Sequence, residues 1–202
     1  MRLKRRRKSR YSSGLSFYED KVSINRHVVK EVLLWILTTL VALLLAFLCF
    51  QCFGFRVNVS GGSMEPGIED GRSVLVNRLS YRIVSPQRGD VIAFYPGGDE
   101  EMKPSIKRVV ALPGDTVQIS DGVLLVNGIP SALQDIFGTI EDAGMVSNVM
   151  ILEEGEYFVL GDDPQQSEDS RSAGIGMVEE GDIIGEVWIA LPYQGSFLKK
   201  VE

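Results

Sequence analysis

Val32–Phe50 reads VLLWILTTLVALLLAFLCF, nineteen residues interrupted only by Thr38 and Thr39, and no charged residue occurs from Val32 to Phe55. At about 1.5 Å rise per residue, a helix of this length covers roughly 30 Å, the hydrocarbon thickness of a bilayer. A cleaved secretory signal has an apolar region of only about 7–15 residues before a small-residue cleavage site. Here the run is longer and its exit reads Phe53-Gly54-Phe55-Arg56. The segment is expected to be an uncleaved transmembrane anchor over residues 32–55.

Outward from this span the chain is asymmetric. Residues 1–31 hold ten Lys/Arg and three acids, a net +7, whereas residues 32–202 carry a net −13, so the overall −6 averages two unlike parts. A polybasic head attracts nucleic acid or anionic lipid, and the span that follows selects the lipid bilayer over nucleic acid as partner. With one arginine, Arg56, directly after the span, the positive-inside rule makes residues 1–31 a basic cytoplasmic segment and residues 56–202 an extracytoplasmic domain. The expected location is therefore the cell membrane, single-pass. The only histidine, His27, falls on the cytoplasmic side. A Ser-His-Asp or Cys-His site outside is thereby excluded, as is a His-rich zinc site. Both cysteines, Cys49 and Cys52, lie in or at the edge of the span, where packing is a simpler reading than redox or metal chemistry. The exported part has no cysteine and must be held by its own core.

That part reads as mainly β. Short apolar or alternating runs recur between turn residues: Ser73–Asn77, Asp90–Tyr95, Ile106–Leu112, Asp115–Ile119, Val123–Val126, Glu156–Leu160 and Asp182–Leu191. Ser120-Asp121-Gly122 between two of them signals a hairpin. Pro86, Pro96, Pro104 and Pro113 stand at strand ends, where a missing N–H costs least. The pattern predicts an antiparallel β-sandwich or partly closed barrel behind one N-terminal transmembrane helix, with about Ser131–Val149 as loop or short helix.

Without histidine, a serine nucleophile can be activated by a lysine that desolvation keeps neutral. After the span only Lys103, Lys107, Lys199 and Lys200 occur. Lys103 lies in an acidic loop and Lys199 and Lys200 close the chain, while Lys107 sits inside an apolar strand. From the residues alone, Lys107 reads more simply as a solvent-pointing lysine on an alternating strand. Ser63, in Ser60-Gly61-Gly62-Ser63-Met64-Glu65-Pro66-Gly67, is equally an ordinary Gly/Ser/Pro turn. Gly161-Asp162-Asp163-Pro164-Gln165-Gln166-Ser167-Glu168-Asp169-Ser170-Arg171 reads as a solvated loop or an oxygen-ligand calcium loop, although its spacing does not fit the EF-hand pattern. In it Asp162 or Asp169 stands ready to pair with Arg108 or Arg171.

Taken together and in order, these segments resemble bacterial type I signal peptidases, the membrane-bound Ser-Lys endopeptidases, in their compact Gram-positive type. Ser63-Met64-Glu65-Pro66 is similar to the nucleophile box, and Arg88-Gly89-Asp90-Val91-Ile92-Ala93-Phe94 to a strand of the family. Lys107-Arg108-Val109-Val110-Ala111-Leu112-Pro113-Gly114-Asp115 is similar to the lysine box, and Gly161-Asp162-Asp163 through Arg171 to the last box. The resemblance implies Ser63 as nucleophile with its N–H as an oxyanion donor, and Lys107 as general base. It implies Ser167 hydrogen-bonded to the Lys107 amine, and the Asp169–Arg171 pair with Arg108 holding the strands. It also implies Val59, Met64 and Ile106 lining shallow substrate pockets. The implied substrates are preprotein signal peptides with small residues at the first and third positions before the cut, bound extended along a strand edge, with no metal and no cofactor. The export machinery is a further candidate partner of the basic head, and Phe53, Phe55, Phe94 and Tyr95 are candidate lipid contacts. Several positions depart from the family pattern. Gly61 stands where some members carry a serine hydroxyl, Gly67 replaces a threonine, Ser105 a tyrosine, Ala111 a glycine and Asp163 an asparagine.

Other classes fit less well. The single S-x-x-K, Ser196–Lys199, has no K-T-G or S-D-N after it, against a β-lactamase-like enzyme. The span argues against an autocleaving repressor. A non-enzymatic anchored β module would tolerate Lys107→Ala.

Overall fold

A computed structural model describes residues 26–53, 55–193 and 197–201; the basic head through Asn25, Gly54 and Ser196 lie outside the described residues. Among the described residues helix α1 runs Arg26–Phe53, and His27 and Glu31, one turn apart on it, approach to 3.2 Å. Its stretch Arg26–Phe50 is long and apolar enough to cross a membrane, and its large side chains, among them Trp35, Leu43 and Phe50, are exposed. The chain divides into two compact units inside this helix, at Leu43/Leu44.

The second unit is mainly β. Its strands are β1 Phe55–Asn58, β2 Ser73–Asn77, β3 Val91–Phe94, β4 Ser105–Ala111, β5 Thr116–Ser120, β6 Val123–Val126, β7 Ile129–Pro130, β8 Met150–Ile151, β9 Glu156–Leu160, β10 Val178–Glu179, β11 Ile183–Ala190 and β12 Lys199–Lys200. All pairings are antiparallel. A curled, half-barrel sheet has the order β1-β2-β11-β3-β4-β9-β10, with β12 on β11, and a smaller sheet has the order β7-β6-β5-β8. All seven strands expected from the sequence are present. Asp121 and Gly122 turn the β5–β6 hairpin with φ of 51° and 79°, both in the left-handed region. The segment expected to be irregular holds one short helix, α2 Gln134–Phe137, and a 3₁₀ turn at Gly144–Ser147.

Strand β3 is buried at every position because the large sheet is covered on both faces. Val91 and Ala93 join the core of Val57, Met64, Val74, Val76, Ile106 and Val187, while Ile92 and Phe94 join that of Val109, Tyr157, Val159 and Val178. A third core, with Phe137, Ile140, Phe158 and Leu160, fills the space against the small sheet. Phe94 is thus a core residue, 1% exposed, and not the lipid contact expected from the sequence. Its position on a strand packed on both sides leaves it no free surface, and Tyr95 beside it is half-buried.

Candidate active site

Strand β4 carries two adjacent cations, Lys107 and Arg108, both 4% exposed. A strand sends neighbouring side chains to opposite faces. Lys107 shares its face with Val109 and with its cross-strand partner Ile92, so burial pushes its ammonium pKa below the ordinary lysine value of 10.5. Asp169, Glu168 and Asp162 oppose that shift, and Arg171 adds to it; desolvation outweighs the acids. Arg108, on the other face, meets Asp162 through two hydrogen bonds of 2.7 Å and donates a third, of 2.8 Å, to the Gly89 carbonyl.

The Lys107 Nζ lies 2.8 Å from Ser63 Oγ. Ser63 occupies a 3₁₀ turn, Gly62–Met64, entered through Gly61 at φ 89°, a conformation that favours glycine. The turn is pinned from several sides. Gly61 N–H donates to Asp70 Oδ1, Ile68 N–H to the Met64 carbonyl, and Asp163 N–H to the Ser63 carbonyl. Met64 points inward, fully buried, and anchors the loop in the core while Ser63 remains half-buried at the surface of a cleft.

This cleft, of about 360 Å³, has Ser60, Gly61 and Ser63 from the turn, and Lys103, Ser105 and Lys107 from β4 and the loop before it. Gln166, Glu168, Gly174 and Ile175 complete it with Pro96 and Met102. Lys103 is exposed in it, as the sequence suggested for its acidic loop. Val59, Met64 and Ile106 do not line the cleft; they belong to the core cluster that holds Met64. One more feature of β4 bears on the cleft. Strand β9 pairs with it from Arg108 onward, whereas β3 pairs with Ser105 to Arg108, so Ser105–Lys107 have a strand partner on one side alone among the described residues.

The loop Gly161–Arg171 is organised around a second buried ion pair. Arg171 Nε and Nη2 donate to Asp169 at 2.8 and 3.0 Å, and Arg171 also reaches the carbonyls of Pro164 and Asp142. Asp169 accepts from Gly161 N–H, and Ser170 bonds Val159 in both directions, which lays the end of the loop beside β9. Ser167 Oγ is buried and makes no hydrogen bond among the described residues, so the expected bond to the Lys107 amine is not formed; the amine's hydrogen bond goes to Ser63 Oγ. No group of three or more metal-ligating side chains occurs among the described residues, and in this loop Asp162 and Asp169 are each committed to an arginine.

Two residues of the site escaped the sequence reading. Gly161 sits where an added Cβ would collide with the Ser63 carbonyl and Ser167 Oγ, so glycine lets the two loops meet. Gln166 donates to Asp163 Oδ2 at 2.9 Å and its carboxamide stands against Gly62. The only local signal for either was position within a polar loop.

The model of the family described as "Signal peptidase, peptidase S26" matches residues 30–191. Signal peptidase IB of Staphylococcus aureus strain COL is 32% identical over 178 residues, covering 78% of this chain and 88% of that protein. Signal peptidase I of Bacillus licheniformis is 32% identical over 159 residues, covering 75% and 83%. A crystal structure of a signal peptidase I from Enterococcus faecalis V583 shares 31% identity and covers 50% of this chain and 96% of that one, with a TM-score of 0.38. A serine and a buried lysine in contact, on a curled antiparallel sheet that follows one apolar helix, therefore stand in a chain that belongs to the peptidase S26 family of signal peptidases.

Proposed function

We propose that this chain is a membrane-anchored serine endopeptidase that removes N-terminal signal peptides from preproteins, with Ser63 as nucleophile and Lys107 as general base. The observation that carries the reading is the 2.8 Å contact between Ser63 Oγ and an amine that burial disposes toward its neutral form. Neutral Lys107 accepts the Ser63 hydroxyl proton as Oγ attacks the scissile carbonyl. The Ser63 N–H donates to the oxyanion that develops; Gly61, whose N–H is held by Asp70, supplies no side-chain donor. The resulting ammonium gives its proton to the departing amine. The ester left on Ser63 is then hydrolysed by water, deprotonated by the same amine.

The open edge at Ser105–Lys107 suits an extended peptide, whose backbone would continue the ladder that β9 leaves at Arg108 and bring a carbonyl to Ser63. Small residues at the first and third positions before the cut would face the loop and strand that Val59, Met64 and Ile106 support from within. Asp162 and Asp169, each paired with an arginine, hold Gly161 and β4 in place around the dyad. In this reading residues 1–31 are cytoplasmic, 32–55 span the bilayer and 56–202 form the extracytoplasmic catalytic domain, with the lipid bilayer and the export machinery as partners. Ser63→Ala and Lys107→Ala, purified in detergent, are each expected to lose preprotein cleavage while keeping the near-UV circular dichroism of the wild type. Retained cleavage in either variant overturns the assignment.

A further inference from the structure

Three carboxylates act on Lys107: Asp169, Glu168 and Asp162, with the Arg171 guanidinium beside them. Two of the three are committed elsewhere. Asp169 is bonded to Arg171 and Asp162 to Arg108, each in a buried pair, although Asp169 remains the strongest of the three acids acting on the amine. Glu168 forms no salt bridge among the described residues. Its side chain is exposed in the same cleft as Lys107, with Oε1 so close to Gly174 that an added Cβ would lie 2.8 Å from it. Lys103 is the other charged residue of the cleft and is exposed to solvent.

We propose that Glu168 acts through Lys107 as the one counter-charge of the cleft held by no arginine, stabilising the ammonium and so helping to set how far the pH must rise before the amine takes a proton from Ser63. The inference rests on the reading of Lys107 as general base. Its physical content is an imbalance of charge. Each buried Asp is accompanied by its arginine, which offsets part of its effect on the amine, whereas Glu168 has no such partner among the described residues and favours the protonated form over the neutral one. Because Glu168 is exposed, the effect must be modest and sensitive to salt, unlike that of a buried pair. A substrate laid across the cleft would cover Glu168, so the acid also links occupancy of the cleft to the state of the base.

The test is the pH dependence of kcat/KM for the full chain in detergent, using a peptide with alanine at the first and third positions before the cut and no charged residue near it. At low ionic strength Glu168→Gln is expected to move the rising limb down by about 0.5 to 1 in pH. Glu168→Asp, which keeps the charge, should retain the wild-type limb. At about 1 M salt, where the screening length is about 3 Å, the wild-type and Glu168→Gln limbs should converge. A residue that merely supports the loop would change kcat/KM at every pH without a salt-dependent displacement. Coincident limbs at low salt, or a displacement that salt leaves unchanged, overturn the proposal. Activity surviving in Lys107→Ala would instead overturn the reading on which it rests, so the two failures are distinguishable.

Discussion

Replacing Asp162 by Asn tests whether the Arg108–Asp162 pair is the rivet of the catalytic half of the fold. The two side chains are 4% and 2% exposed, joined by two bonds of 2.7 Å, and bridge β4 to the loop after β9. Asparagine keeps the shape and removes the charge. One of the two guanidinium bonds then faces an N–H instead of an acceptor, and the buried arginine loses the carboxylate charge that faces it; its bond to the Gly89 carbonyl does not replace that charge. Breaking a buried pair from one side costs about 3–5 kcal/mol. For a domain of this size each kcal/mol lowers the midpoint by roughly 2–4 °C, so the expected drop is roughly 6–20 °C. The assay is thermal unfolding of the full chain in detergent followed by near-UV circular dichroism, because α1 dominates the far-UV signal and reports little on the β domain. The double variant Arg108→Met, Asp162→Leu removes both charges and should recover most of the loss. A midpoint for Asp162→Asn within about 2 °C of wild type would refute the reasoning, since it would mean that water or another group compensates Arg108.

Four further outcomes follow from the geometry. The rate of cleavage should rise with pH through the Lys107 titration and do so below the ordinary lysine value of 10.5, because burial disfavours the ammonium and only the neutral amine accepts the Ser63 proton; a limb at or above 10.5 would contradict the site. The same depressed pKa means that the unfolded chain binds a proton the folded chain resists, so Lys107→Met should raise the thermal midpoint near neutral pH while removing activity, and a lower midpoint would show that the amine is not paying for burial. Gly161→Ala forces a Cβ against the Ser63 carbonyl and Ser167 Oγ, so kcat should fall by about 100-fold or more with secondary structure intact, as read by single-turnover cleavage. Asp115 is pushed up by burial but pulled down further by hydrogen bonds from Arg88, the Leu112 N–H and Asn127, so its folded pKa lies below the unfolded one. Its stabilisation is present above the unfolded value and lost as pH falls through the folded one; between about pH 5 and about pH 3 the wild type should lose more stability in urea titrations than Asp115→Asn does.

What the sequence made legible, and what it hid, divides by the range of the interaction responsible. The strands of five or more residues announced themselves through alternation or unbroken apolar runs, and Ser120-Asp121-Gly122 specified its turn locally. Strand β1 was missed because Phe55-Arg56-Val57-Asn58 is short, carries two polar residues and follows directly on the apolar span. Strands β7, β8, β10 and β12 have two residues each, too few to carry a period. Lys107 could be singled out because exported lysines are few, yet its burial and its contact with Ser63 join residues 44 apart. The choice of Asp162 over Asp169 as the partner of Arg108 depends on which face of β4 each loop residue reaches. The open edge at Ser105–Lys107 depends on where β9 stops, and no local pattern encodes that.

Lys107 and Arg108 show why the chemistry needs this strand. Both are cations, adjacent in sequence and equally buried, yet opposite things are required of them. The period of two places Arg108 against a carboxylate that meets its charge through two hydrogen bonds. It places Lys107 against Ile92, Val109 and a neutral hydroxyl, where the ammonium has no bonded anion and the free amine loses nothing. Two of the three acids near Lys107, Asp162 and Asp169, are bonded to Arg108 and Arg171 rather than to the amine, so in the proposed function those arginines occupy carboxylates as well as fastening loops. Were either arginine removed, a buried carboxylate would be left unpaired, and its uncompensated charge would favour the ammonium form of Lys107. In the proposed function both ion pairs therefore favour a neutral Lys107, and the reactivity of Ser63 would depend on residues that never touch the substrate.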